Sequence, residues 1–376
     1  MLLQPRYIAL DSAHLIQWAD ARVSAHAPRR AEARRFELWL ERHGYVPLLS
    51  LHHIAEMANH AVEAVAAGRL RFLAGLPLVA WIGAPPQGGA GTVVTLIAEE
   101  VRAACTAPQA SRSEVRDLAK PRLIQAGAGT RMLGAAPEAW LALRPVFAAE
   151  AEQARKVVAF TRVGTVDISK KPMAELLNSR LRRGEDLRRQ LDLMTGTYAA
   201  SIAQRADRRI ADPDAMAAAF MGDVAAMASP LPETAAELVL RALATQGVTA
   251  DDITPTSTIG DMLDLGLFRA QLRIAAEAAG VSPSEALLHV QPERIPSWSL
   301  VQALQRHLPD LPEREGGELN DTYLACLAAY ADVTLVDKRT WEGVRRLRAK
   351  APELAALLGR VERLPRFEQL AAVLGE

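Results

Sequence analysis

Residues 320–339, Asn-Asp-Thr-Tyr-Leu-Ala-Cys-Leu-Ala-Ala-Tyr-Ala-Asp-Val-Thr-Leu-Val-Asp-Lys-Arg, constrain the fold more than any other stretch of the chain. They read as a short helix, a tight turn and a buried strand, with Asp321 at the start of the helix and Asp337 at the end of the strand. A helix of about ten residues advances roughly 15 Å, and a strand of about five or six residues running back covers roughly 17 Å. The two carboxylates therefore return to the same level, which is how a fold builds an acidic pocket. The rest of the chain has to supply their partners.

The N-terminal region offers two. Tyr7-Ile8-Ala9-Leu10 is a short apolar run ended by Asp11-Ser12, which reads as a buried strand delivering an acid at its carboxyl end, followed by a helix through Leu15, Ile16, Trp18 and Ala19. An arginine-studded helix is predicted over residues 31–43, stopped by Gly44. Residues 46–51 form another apolar run, which Pro47 restricts to an edge or a lead-in. Ile54, Met57, Ala58, Ala61, Val62 and Val65 then recur at helical spacing, with Glu56 one turn inside that helix.

The centre of the chain changes character. Prolines and glycines punctuate residues 77–136 as loops between short helices, and from Pro137 onward helical stretches follow one another at 138–160, 172–209, 213–227, 232–246 and 257–279. No fixed period marks a solenoid. The alternation resumes near Ile295, with a helix through Leu300 and Leu304, a polar loop at 309–318, the opening stretch, a basic helix at 341–350, a strand candidate at 361–364 and a last helix at 367–374. Strands alternating with helices at both ends predict an α/β fold with a doubly wound, mainly parallel sheet. Its halves are residues 1–76 and 296–376, interrupted by a mainly α-helical inserted domain at 77–295.

At 376 residues, half of them hydrophobic, the chain can bury a sizeable core in more than one domain. Its 44 basic and 44 acidic residues cancel, so no global cationic field advertises nucleic acid, although arginines bunch at 29–35, 180–189 and 345–350. Cys105 and Cys326 are far apart and have no metal-ligand spacing, which argues against a disulfide framework or a zinc site and for a reducing cytoplasm. The apolar run near the N-terminus is too short for a signal peptide, and no stretch reaches the roughly twenty apolar residues that span a bilayer.

If the strands ending at Asp11 and Asp337 are parallel neighbours, both acids emerge where open α/β sheets place their sites, and the helices bearing Glu56 and Asp321 reach the same edge. Crowded carboxylates repel unless they share a cation, and Mg²⁺ or Mn²⁺ prefers such oxygen ligands. Each acid also has an ordinary reading. Asp11 can cap a helix, Asp321 can complement a helix dipole, Asp337 can start a turn and Glu56 can pair with His60 on a surface. What favours the joint reading is the order: strand Asp, helix Glu, helix-start Asp, strand-end Asp.

Lys338 and Arg339 could hold a scissile phosphate or form a solvated helix start. Asp332 is a turn residue at the opposite end of the strand, and Asp20 faces solvent. The run from Gly83 to Thr92 is similar to a phosphate loop but lacks the lysine before Thr92, so it is rejected as a nucleotide site. His52 and His53, being adjacent, point to different helix faces. The arginine cluster at 180–189 could touch a phosphate backbone or pair with its own Glu185 and Asp186.

Leu10-Asp11-Ser12-Ala13-His14-Leu15-Ile16, the Leu51 to Glu56 helix start, and Asn320-Asp321-Thr322-Tyr323 followed by the stretch from Tyr330 to Arg339 resemble the PIN-domain nucleases. The resemblance covers about 1–70 and 296–376 and implies a PIN-like α/β/α sandwich. It also implies a divalent metal and endonucleolytic cleavage, most often of RNA, with the four acids of the family falling on Asp11, Glu56, Asp321 and Asp337. The expected partners are thus a nucleic acid, RNA ahead of DNA, with room for a protein inhibitor or a homodimer and none for a membrane. A PIN-like scaffold that binds nucleic acid or protein without catalysis is the alternative. The long insertion between the second and third acids departs from compact members of the family and bears on substrate choice.

Overall fold

The structure, a computed structural model, describes residues 5–83, 88–160, 169–177, 184–206, 209–227, 235–307 and 318–375. The chain forms two compact units. The first comprises Met1–Glu150, Ile274–Asp310 and Leu319–Glu376, and the second Ala151–Arg273 with Leu311–Glu318.

The first unit is built on a six-stranded sheet: β1 Arg6–Ala9, β2 Tyr45–Leu49, β3 Val79–Ile82, β4 Ile124–Gly127, β5 Val333–Leu335 and β6 Arg360–Glu362. The spatial order is β4-β3-β2-β1-β5-β6. Every neighbouring pair is parallel except β3 with β4, which closes one edge antiparallel. Side chains alternate between two apolar layers, as a pleated strand requires. Ile8, Leu10, Trp81, Val333 and Leu335 join the layer of Trp18, Phe36 and Met57. Ala9, Ala80, Ile82 and Val336 join that of Leu96, Leu300, Tyr330 and Leu347 on the opposite face. Helices thus cover both faces, which is why the central strands are apolar throughout.

The α/β class and the mainly parallel sheet agree with the sequence reading, but two of its details change. Strands β3 and β4 lie inside residues 77–295, the range that the sequence pattern gives to the inserted domain, so the boundary at 76 does not hold and the separate unit begins near Ala151. Pro47 stands in the middle of β2, a central and fully buried strand, and not at an edge. The register explains the tolerance: β2 pairs with β1 over Tyr45–Pro47 and with β3 only from Leu48, so the missing amide falls where the strand changes partner.

The second unit is helical in its described residues. One small core gathers Met173, Leu243, Val248, Ile259 and Met262, and another Ala199, Ile202 and Ala217. Among the described residues, no helix is long and apolar enough to cross a membrane.

Candidate active site

From β1 the chain passes to β2 and β3 on one side, while β5 and β6 lie on the other. In an open α/β sheet such a reversal opens a crevice outside the carboxyl ends of the strands. Asp11 follows β1 at that edge and Asp337 follows β5. Their level is locked by backbone, because the Asp11 amide donates to the Leu335 carbonyl at 3.0 Å.

Both acids also cap helices. The Asp11 carboxylate accepts from the Ala13 amide at 3.3 Å at the head of the Ser12–Arg22 helix. Asp337 accepts from the Thr340 amide at 2.7 Å and from the Arg339 amide at 3.1 Å at the head of the Lys338–Lys350 helix. Capping does not exhaust a carboxylate, which has about four lone-pair sites. Glu56 is half-buried in the Leu51–Ala58 helix that follows β2. Burial lifts the Asp11 carboxyl above its ordinary range; the charges of Glu56 and Asp337 push it further up, while the Ala13 amide and His14 pull it down. Asp11 therefore feels the charges of both Glu56 and Asp337.

Asp321 stands in the Glu318–Leu327 helix, and its side chain lies outside the described residues. Two positions on, the Tyr323 ring stacks on His52 with centroids 5.2 Å apart, so this helix runs beside the one that bears Glu56. Among the described residues, no three His, Cys, Asp or Glu side chains converge tightly enough to hold a metal ion. A complete ligand set from Asp11, Glu56, Asp321 and Asp337 is thus not assembled among those side chains.

Three histidines to which the sequence reading gives no role line this edge. His14 bonds through Nε2 to the Leu364 carbonyl at 2.7 Å, tying the first helix to the segment after β6. His52 is pushed down to about 4 by burial and then by His53, against the pull of Glu56. His53, buried, is also pushed down to about 4 by burial, against its hydrogen bonds to Leu10 and Ser50. Both rings are neutral near pH 7. One sequence signal was available, since Ser50 and His53 have the spacing of a capping box, with an imidazole in place of the usual carboxylate.

The remaining candidates fall into place. The Asp332 carboxylate accepts from the Tyr7 amide at 2.6 Å, at the opposite end of the sheet, as expected of a residue outside the site. Asp20, expected in solvent, has a side chain 42% exposed and receives both the Nε and an Nη of Arg69, at 3.0 and 2.9 Å. The glycine-rich loop after β3 reaches the site edge at Gly91, whose backbone is committed to the fold. The Gly91 amide donates to the Ile82 carbonyl at 2.6 Å, and the Gly91 carbonyl accepts from Leu51 at 2.8 Å. A Cβ at Gly91 would lie 2.5 Å from the Thr95 hydroxyl, so only glycine fits there. In the cluster at 180–189, residues 180–183 and the side chains of Glu185, Asp186 and Arg188 lie outside the described residues. Comparisons with family models, curated proteins and solved structures give no match to this chain.

Proposed function

We propose that the first unit is a PIN-like, divalent-metal-dependent endonuclease that hydrolyses phosphodiester bonds, with RNA ranked ahead of DNA as substrate. Asp11, Glu56, Asp321 and Asp337 form its acid set, and Mg²⁺ or Mn²⁺ is the ion they hold. The observation that carries this reading is the placing of Asp11 and Asp337 at the switch point of the sheet, with Asp11 destabilised as an anion by burial and by Glu56 and Asp337. A hard cation among these oxygens removes that penalty, so the residues fit the ion. Bound there, such an ion activates water and stabilises the leaving oxygen. The chain's own contribution is to keep Asp11 and Asp337 at one level, hold them and Glu56 partly buried, and offer the exposed Lys338 beside Asp337 to a substrate phosphate.

A second reading, a PIN-like scaffold without catalysis, is favoured by the capping bonds that Asp337 makes to two amides. Calorimetry with Mn²⁺ and cleavage of mixed RNA and single-stranded DNA separate the two. Asp11→Asn and Asp337→Asn are the suitable variants, because asparagine still caps a helix. The nuclease reading expects the parent to bind Mn²⁺ and cut, and both variants to lose binding and cleavage while unfolding as the parent does. Variants that cut as fast as the parent would sink it, and a parent that neither binds Mn²⁺ nor cuts leaves the scaffold.

A further inference from the structure

We infer that His53 is a positioning residue: its imidazole relays a hydrogen bond from β2 to β1 and so fixes the Glu56 helix against the peptide that carries Asp11. The inference deepens the nuclease reading and rests on it for its consequence in activity. The ring is 3% exposed. Its Nδ1 lies 3.0 Å from the Ser50 amide and 2.9 Å from the Ser50 hydroxyl, and its Nε2 lies 2.9 Å from the Leu10 carbonyl. An amide can only donate and a carbonyl can only accept, so Nδ1 is the acceptor and Nε2 carries the proton. The polar atoms of the ring are fully committed to these two strands.

The reason for an imidazole lies in the ladder. β1 and β2 run parallel with Ile8 opposite Pro47, and β2 ends at Leu49 as the chain turns into the Leu51–Ala58 helix. Beyond that point the Leu51 amide is drawn away to the Gly91 carbonyl. The Leu10 carbonyl would lose its neighbour where the site begins. His53 bridges the gap, taking the Ser50 N–H on one nitrogen and giving its own N–H to Leu10 on the other. The same Leu10–Asp11 peptide donates its amide to Leu335 of β5 at 3.0 Å. One peptide plane is thus held from both sides, by the strand leading to Asp337 and by the helix carrying Glu56. Hydrogen-bond chains of this kind polarise one another and define a single geometry.

Two substitutions separate the relay from simple packing. In His53→Asn the amide oxygen keeps the acceptor for Ser50 but falls short of Leu10. In His53→Gln the side-chain nitrogen keeps the donor to Leu10. Hydrogen exchange of the full chain should show faster exchange at residues 10–15 and 50–58 in the Asn variant and parent-like protection in the Gln variant. Mn²⁺ affinity and cleavage rate should fall on the order of 10- to 100-fold in the Asn variant, as for other groups that orient ligands, and recover in the Gln variant. The inference is overturned if the Asn variant exchanges like the parent, or if Gln loses as much as Asn. It is also overturned if exchange quickens in the Asn variant while Mn²⁺ binding and cleavage stay intact. If the parent itself neither binds Mn²⁺ nor cuts, the nuclease reading falls, and the exchange comparison alone decides whether the relay holds the peptide.

Discussion

Glu100 stands in the Val93–Thr106 helix with no exposed surface. The Ser297 amide reaches its two oxygens at 3.2 and 3.1 Å, and the Ser297 and Tyr330 hydroxyls each donate at 2.7 Å. These donors favour the ion, yet burial outweighs them and lifts the carboxyl from 4.5 to about 7. Between those values the folded chain holds a proton that the unfolded chain has released. The stability from this group is therefore fully present below about 4.5 and is lost as pH rises towards about 7. Glu100→Gln keeps the shape and cannot titrate. The stability of the parent relative to this variant, from urea unfolding at about pH 5 and about pH 7.5, should fall across the window. Identical pH dependence in the two proteins would mean that Glu100 titrates as an ordinary surface acid. The places of Asp11 and Asp337 at strand ends were legible in the sequence because each closes a short apolar run. Glu100 and His53 were not, since each looks like the polar side of a helix. Their burial is set by distant chain: Ser297 lies 197 positions from Glu100, and Leu10 lies 43 from His53.

Local pattern revealed β1, β2, β5 and β6 but concealed β3 and β4. Val79–Ile82 is four residues long and buried on both faces, so it has no alternation to read, and the glycines and prolines that follow suggested loop. Ile124–Gly127 directly follows the Arg112–Leu123 helix with no turn residue between them. Burial shows what β3 contributes. Trp81 is wholly enclosed, packs in the core layer of Trp18, and donates its indole N–H to the Gly88 carbonyl at 3.0 Å, tying the glycine-rich loop to the sheet. Trp81→Ala should cost about 3–5 kcal/mol, read as a lower urea midpoint. Trp81→Phe keeps most of the apolar contact and loses the indole bond, and should cost about 1–3 kcal/mol. An alanine variant as stable as the parent would remove β3 from the core.

At the scale of the whole chain, the sheet depends on contacts that no local signal carries: Ile8 of β1 is in register with Val333 of β5. The acids suggested that the two ends meet, because one chemistry needed both, but nothing local marked where the first unit pauses and the second begins. The second unit has apolar cores of its own, and beside one of them a half-buried ion pair in which Arg269 reaches the two oxygens of Asp252 at 2.6 and 2.7 Å. The Arg269 hydrogen bonds hold the Asp252 carboxyl down at about 2, against burial and with help from Thr249. Because the folded value is depressed, this stabilisation is present above the ordinary 3.8 and is lost as pH falls towards about 2. Arg269→Met retains the aliphatic stem and leaves the Asp252 carboxylate only its bonds from the Thr249 amide and hydroxyl, at a cost of about 1.5–3 kcal/mol. Since separate cores open separately, hydrogen exchange at neutral pH should quicken across residues 239–272, while amides of β1, β2 and β5 keep their protection. Uniform loosening of both sets would mean that the two units unfold as one. Protection unchanged in both would mean that the pair contributes nothing to the second unit.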